Sequence, residues 1–268
     1  MNRIKRSWVI CAFILALITS SWNSFSQDTT IVHNYWTTNT AYTVSKNRLE
    51  LSLFSASHMG LSNKLELSAH PLVFWVIPQA NLKIQWSKTT RCAIATQHGF
   101  MYPTIFLRLL GKKDKNGFIS TQYDMPQMFS IYNGVLFSYI PFHQAILTVN
   151  AGVAFSVRFG PLDPESTIDM PFIYPRLAVF YNSPEFYPGI DFRGNFNRMF
   201  GWVFSVENFI VTGTPYDYFM ENKGALSYNS RKSNFRYEIG YKLCYGTYPS
   251  GKIWHILPDI ELIFAFGK

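Results

Sequence analysis

Apolar and polar residues alternate with a period of two over long stretches of this chain. Between 144 and 159 the odd positions read Ala145, Leu147, Val149, Ala151, Val153, Phe155, Val157 and Phe159. The even positions are mostly small or polar, including Thr148, Asn150, Gly152, Ala154, Ser156 and Arg158. Successive side chains of a strand point to opposite faces, so this stretch predicts one long strand with an apolar face. Tyr237, Ile239, Tyr241, Leu243 and Tyr245 alternate in the same way with Arg236, Glu238, Gly240, Lys242 and Cys244. Shorter versions set Leu82, Ile84 and Trp86 against Lys83, Gln85 and Ser87, and Trp202, Phe204 and Val206 against Ser205 and Glu207. The closing stretch sets Ile260, Leu262, Phe264 and Phe266 against Asp259 and Glu261. Several strands therefore carry charge on one face and large apolar side chains on the other.

A soluble sandwich alternates too, but its strands average about five or six residues, whereas a tilted membrane strand needs about 9 to 11. The longest runs match the membrane length. Aromatics crowd the ends of the predicted strands, at Tyr35-Trp36, Phe74-Trp75, Phe186-Tyr187, Tyr216 with Tyr218-Phe219, and Tyr245 with Tyr248. Rings at strand ends suit headgroup depth and predict the two girdles of an outer-membrane barrel. On this reading Val153 and Tyr241 face lipid and Ser156 faces the lumen.

Composition agrees. The chain is 48% hydrophobic, 18% aromatic and 15% charged, which excludes disorder. Mean hydropathy is +0.01, and no apolar run after residue 30 approaches the roughly 18 residues of a spanning helix, which excludes a polytopic helical protein. Only two cysteines, Cys92 and Cys244, follow Cys11. They could pair in an oxidising compartment, but on strands far apart in sequence they read first as two lone wall residues.

Residues 1–26 read as a cleaved secretory signal peptide. Arg3, Lys5 and Arg6 form its basic region, Trp8 to Ile18 its apolar region, and Ser24 and Ser26 a small-residue cleavage site. Without those three charges, 21 basic residues face 16 acidic ones, a net charge of +5. An exported chain meets no nucleic acid, so this excess predicts no such partner. The expectation is an all-β, transmembrane antiparallel barrel over 27–268. About 20 residues per strand and connection give 12 strands, with 10 or 14 as neighbours. That length is too short for a plugged transporter of 22 strands.

Arg48 to Ser52 and Lys64 to Ser68 read R-L-E-L-S and K-L-E-L-S around the turn-like stretch Gly60 to Lys64. A turn centred on Ser62 sets His58 opposite Glu66 and puts Glu50, His58, Glu66 and His70 on the lumen side. A second hairpin is expected at Lys88 to Arg91, and longer loops at Pro103 to Pro126 and Gly160 to Pro171. The polar faces make Glu50, His58, Glu66, Lys83, Arg158, Glu207, Glu238 and Lys242 the expected lumen-lining residues. Their mixed signs fit either a plug of salt bridges or a narrow polar passage.

The stretch Gly60-Leu-Ser-Asn-Lys-Leu-Glu-Leu67 resembles the G-L-T-D-R-L-E-L signature of bacterial outer-membrane β-barrels grouped as phenol-degradation MetA-pathway-like proteins. Ala41 to Arg48 is similar to the opening hairpin of such barrels. Leu262, Phe264 and Phe266 resemble an outer-membrane assembly signal, followed here by Gly267 and Lys268. The resemblance implies a Gram-negative outer-membrane location, contact with the barrel-assembly machinery, and passage of small, often hydrophobic, compounds.

Enzyme constellations are sparse. Ser55 and Ser57 point away from His58 on one strand, so they make no nucleophile pair with it. His58 with Glu66 reads as a lumen salt bridge or hydrogen bond before an acid-base pair. No HExxH, CxxC or Gly-rich phosphate motif occurs, so no metal, cofactor or catalytic residue is expected. Arg108, Lys112, Lys113 and Lys115 form a basic run, either solvated or in contact with outer-membrane lipids and lipopolysaccharide phosphates. The leading expectation is an outer-membrane small-molecule channel or transporter. A closed structural or surface-interaction barrel is the alternative, and a lipid-modifying barrel enzyme the third.

Overall fold

A computed structural model describes residues 36–267 apart from 112–118, 120–122, 143, 164–165, 167, 169, 214–217, 231–233 and 249–250. The expected signal peptide, Tyr35, Lys112, Lys113, Lys115 and Tyr216 lie outside the described residues. In chain order the strands are β1 (Leu49–Ser52), β2 (Ser57–Gly60), β3 (Leu65–Ala69), β4 (Gln79–Lys88), β5 (Cys92–Met101), β6 (Gln127–Phe142), β7 (Ala145–Phe159), β8 (Glu185–Phe186), β9 (Gly189–Asn195), β10 (Phe200–Val211), β11 (Tyr218–Asn229), β12 (Phe235–Tyr248) and β13 (Gly251–Phe266). Two helices interrupt them, α1 (Thr104–Leu110) before β6 and α2 (Tyr174–Tyr181) before β8.

Apart from β8 and β9, which do not pair with each other, every strand pairs antiparallel with its neighbours in sequence, and β1 pairs with β13, from Leu49 opposite Phe266 to Ser52 opposite Ile263. β8 and β9 both lie between β7 and β10. They form one wall strand, because Tyr187 exchanges both backbone hydrogen bonds with Gly152, at 2.8 and 3.1 Å. Only Pro188, which has no N–H to give, breaks the ladder between them. The result is a closed all-β antiparallel barrel of twelve wall strands.

At the near end β2 passes to β3, β4 to β5, β6 to β7, β9 to β10 and β11 to β12, and the start of β1 and the end of β13 lie there too. α1 and α2, in the long connections after β5 and β7, pack in one cluster at the far end. The wall is uneven. β1 to β3 have four or five residues each, whereas β13 has 16. Above the hydrogen bond from Leu53 to Leu262, the stretch Gly251–Glu261 of β13 has no strand partner on that edge among the described residues. Pro258 sits there, as its missing N–H allows on an edge.

Parity follows the alternation. Val149, Phe155, Val157 and Phe159 are exposed on the outside, and Thr148 and Ala154 are buried inside. On β12, Ile239 and Tyr241 face out while Arg236, Glu238 and Cys244 are buried. An outside of exposed Val, Ile, Leu and Phe around a charged inside inverts a soluble protein and suits hydrocarbon.

Rows of outward rings form near both ends, but of the rings expected for them only Tyr245 takes part in their ring contacts. Phe100, Phe129 and Phe159 make an outer row near the far end with centroids 5.9 and 6.3 Å apart, and Tyr245 stacks on Trp254 at 4.2 Å. Near-end pairs are Phe200 with Tyr228 at 5.6 Å and Phe235 with Phe264 at 5.2 Å. Trp36, Phe219 and Tyr248 are instead buried, and Tyr187 packs inside against Tyr132. For Tyr187 beside Phe186 and Phe219 beside Tyr218 the reason is alternation itself: of two adjacent residues in a strand, one must point inward.

The first hairpin departs from expectation in two ways. β1 and β3 do not flank a turn together, since β2 lies between them. Across β2 and β3 His58 is opposite Ser68, and Gly60 is opposite Glu66, a register two residues from the one expected. The turn includes Leu61 to Lys64, with Leu61 and Ser62 both donating to the Leu65 carbonyl, so its centre moves toward the C-terminal side. Nor do Ala41 to Arg48 form a hairpin, because only Arg48's successor Leu49 begins β1 and residues 36–44 cross the barrel interior. The hairpin at 89–91 forms as expected between β4 and β5.

Candidate lumen site

The interior is organised around Glu66, 1% exposed. Its Oε1 lies 2.8 Å from His58 Nδ1 and 2.8 Å from Lys83 Nζ. Its Oε2 accepts from the backbone N–H of Val44 at 2.8 Å and from Thr37 Oγ1 at 3.4 Å. A carboxylate buried this deeply is held by charged partners and by donors on its remaining lone pairs. His58 reaches Glu66 from two residues along the ladder, so the pairing expected from sequence is made by side chains although the backbone register differs.

Those bonds tie down a strap, residues 36–44, across the near mouth. Trp36 donates from Nε1 to Asn229 Oδ1 on β11 at 2.9 Å, and Arg48 lies 5.3 Å over its ring. Ala41 donates its N–H to Ser138 Oγ on β6 at 2.8 Å, and its carbonyl accepts from Gln85 Nε2 on β4 at 2.9 Å. Lys83 Nζ donates to the Tyr42 carbonyl at 3.0 Å. An irregular segment can lie inside a barrel only if its backbone polar groups are met by the wall, and here β3, β4 and β6 meet them, while β11 holds the Trp36 side chain. Gly60 lets the chain leave the strap: a Cβ there would sit 2.0 Å from the Ser45 carbonyl oxygen.

Above the strap is a cavity of about 280 Å³. Asn39 is at its floor, Asn81 and Gln97 line one wall, Asn150, Asp191 and Glu207 the other, and Arg176 comes from α2. Arg176 is fixed by a two-pronged bond to Glu221, with Nη2 2.9 Å from Oε2. α2 is held in the far mouth by Leu177, Val179 and Phe180 in a cluster with Met128, Ala154 and Leu107 of α1. On its other side Tyr174 meets Phe219 and Tyr248. The α2 roof and the strap therefore bound the cavity above and below.

Ion pairs fill the remaining wall. Lys223 bridges Glu238 at 3.0 Å and Asp259 at 2.8 Å, Arg236 meets Glu238 at 2.5 Å, and Lys242 approaches Glu221 at 3.6 Å. Arg193 pairs with Asp191 at 2.6 and 2.7 Å.

Of the residues read from sequence, Glu50, His58, Glu66, Lys83 and Glu238 are buried inside, and Glu50 takes Arg48 Nε at 3.1 Å. Glu207 lines the cavity, and Lys242 joins the ion-paired wall. Arg158 is different: it is exposed at the far rim, one residue before the end of β7, and does not line the cavity. Alternation fixes its face but not its height. Asp191, Arg193, Glu221 and Lys223 were missed, because β9 is short and irregular and β11 mixes Asn222 and Tyr228 into its outward side. The strap was missed as well, and the one available signal was a run of small and hydroxylic residues, Thr37 to Thr43, without strand alternation. Arg108 turns back to the Met125 carbonyl at 2.8 and 2.9 Å. Cys92 and Cys244 are free thiols. Among the described residues no group of three His, Cys, Asp or Glu side chains could hold a metal ion.

No family model matches the sequence, and no curated protein does. Solved structures do. A bacterial polysaccharide outer membrane secretin is 10% identical over 84% of this chain and 77% of its own, with a TM-score of 0.48. The outer membrane protein opdK from Pseudomonas aeruginosa is 9% identical over 79% of this chain and 52% of its own, with a TM-score of 0.39. The outer membrane channel DcaP of Acinetobacter baumannii is 6% identical over 81% and 62%, with a TM-score of 0.39. The chain thus spans about half of opdK and under two thirds of DcaP.

Proposed function

We propose that this chain is an outer-membrane barrel that passes small polar solutes through a lumen closed at rest by the strap below and α2 above. The observation that carries this is the polar cavity between the two closures, about 280 Å³, inside a barrel with an apolar outside. Amides, Asp191, Glu207 and Arg176 can hydrogen-bond a solute of either charge, which favours polar cargo over the hydrophobic compounds that the resemblance suggests. The octapeptide behind that resemblance forms the β2–β3 hairpin and carries Glu66, so the MetA-pathway-like reading bears on the gate rather than on the cargo. Lipids of both leaflets contact the wall, and lipopolysaccharide the far rim, with assembly by the barrel machinery.

Swelling of proteoliposomes in small sugars and amino acids tests the reading. Wild type should swell slowly, and Glu66→Ala combined with Arg176→Ala, which frees both closures, should swell several times faster. If the folded double variant remains impermeable, the second reading takes over: a closed structural barrel, favoured by the ion pairs of Lys223, Glu238 and Asp259.

A further inference from the structure

The outer wall carries a polar cluster on β4, β5 and β6 that the lumen does not use. On β5 Thr96 and His98 lie two residues apart and point outward, and Asn133 lies opposite His98 on β6. His98 and Asn133 are exposed, among Ile94, Phe100, Ile131 and Val135. His98 Nδ1 is 2.8 Å from Asn133 Oδ1, and His98 Nε2 is 3.1 Å from Thr96 Oγ1. Trp86 donates from Nε1 to the same Thr96 Oγ1 at 2.8 Å.

One set of donors and acceptors satisfies every one of these contacts with a neutral imidazole. Oδ1 of an amide only accepts, so His98 carries its proton on Nδ1, and Nε2 presents a lone pair. In that tautomer Nε2 can only accept, so Thr96 donates its hydroxyl proton to it while Oγ1 accepts from the Trp86 indole N–H. A hydroxyl donating to an imidazole whose other nitrogen is oriented by a third polar group is the arrangement of an activated nucleophile, recognised by geometry and roles rather than by chain order. Polar groups on a hydrocarbon-facing wall are costly, which makes three of them together a functional signal. Their height fits as well. His98 lies two residues, or about 7 Å at strand rise, inside the aromatic row of Phe100, Phe129 and Phe159, where lipid esters meet their acyl chains.

We propose that Thr96, His98 and Asn133 form a lipid-facing hydrolytic site for the acyl esters of membrane lipids. Thr96 Oγ1 attacks the ester carbonyl carbon as its proton passes to His98 Nε2. The carbon–oxygen bond to the lipid alcohol breaks, and His98 returns the proton to the leaving alkoxide. Water then attacks the acyl-threonine ester, giving a proton to His98, and the fatty acid leaves as Oγ1 is reprotonated. Asn133 is a positioning residue that holds the imidazole tautomer. The site needs the barrel to sit in lipid but does not need its lumen to conduct.

The test uses the full mature chain, refolded and reconstituted in two sets of vesicles, phosphatidylethanolamine with phosphatidylglycerol, and the same mixture with lipid A. Release of fatty acid in either set supports the site, and the set that responds names the lipid. Thr96→Val and His98→Phe should each lower release by about 100-fold or more, while Thr96→Ser keeps it. Asn133→Ala should lower kcat with little change in KM, and Asn133→Asp should restore it. A fluorophosphonate probe should label wild type at Thr96 and leave Thr96→Val unlabelled. The proposal is overturned if wild type, shown folded by heat-modifiable migration, releases no acyl chain from either set. Release that survives both Thr96→Val and His98→Phe overturns it equally.

Discussion

At the scale of single residues, the interior depends on a few buried charges with several partners each. Glu66 joins His58, Lys83 and two strap residues. Removing one member of a buried ion pair leaves the other uncompensated, at a cost of about 3 to 5 kcal/mol. Glu66→Ala should therefore destabilise the barrel by that order, measured as a lower temperature for loss of the compact gel form, and Glu66→Gln should cost less because the Val44 bond survives. On the wall, Val135 lies mid-strand on β6 and is 52% exposed. Val135→Arg near the bilayer midplane should cost about 2 to 4 kcal/mol, whereas Asn150→Arg enters the cavity and should be tolerated, as read by folded yield in vesicles. Equal damage from both would refute the membrane face. Ser156, inward by parity, is a poor control: its hydroxyl donates to the Val179 carbonyl under α2 at 2.7 Å, so an arginine there would displace the roof.

At the scale of elements, strap and hairpin are built for one another. The Asn47 N–H donates to the Gly60 carbonyl at 2.9 Å, and the Gly60 N–H to the Arg48 carbonyl at 3.0 Å, so the chain passes closely over β2 as it leaves the lumen. Gly60→Val adds a Cβ where the Ser45 carbonyl stands. The strap should then detach with the wall intact, seen as new protease cleavage near residue 45 while the barrel fragment keeps its heat-modifiable shift. Cleavage unchanged from wild type would show that the strap adapts. The hairpin was legible as a hairpin because Ser62 and Asn63 mark a turn between alternating runs. Its register was not, since a two-residue slip preserves the inward face of every side chain and alternation cannot detect it.

At the scale of the whole molecule, a barrel with this apolar outside should fractionate with the outer membrane and migrate faster in unheated samples than in boiled ones. Recovery of the mature chain as a soluble periplasmic protein with no such shift would reject the location. Twelve strands could be counted from length because each wall strand and connection uses a similar stretch of chain. The exceptions compensate: β1 to β3 are short, and the loops carrying α1 and α2 are long.

Period-two alternation is a local property of the backbone, so the strands it marks, their inward faces and the inward place of Glu50, Glu66, Lys83 and Glu238 could be read from the chain in order, whereas the faces of β9 and β11 could not. What enters the lumen could not. The strap and α2 have no periodicity that distinguishes a plug from a loop, and their place depends on partners far away in sequence, Asn229 for Trp36 and Glu221 for Arg176. The Thr96, His98 and Asn133 cluster divides the same way. Its outward parity lies in the sequence, but only the pairing of β5 with β6 brings Asn133 to the imidazole, because strand register is decided by closure of the ring as a whole.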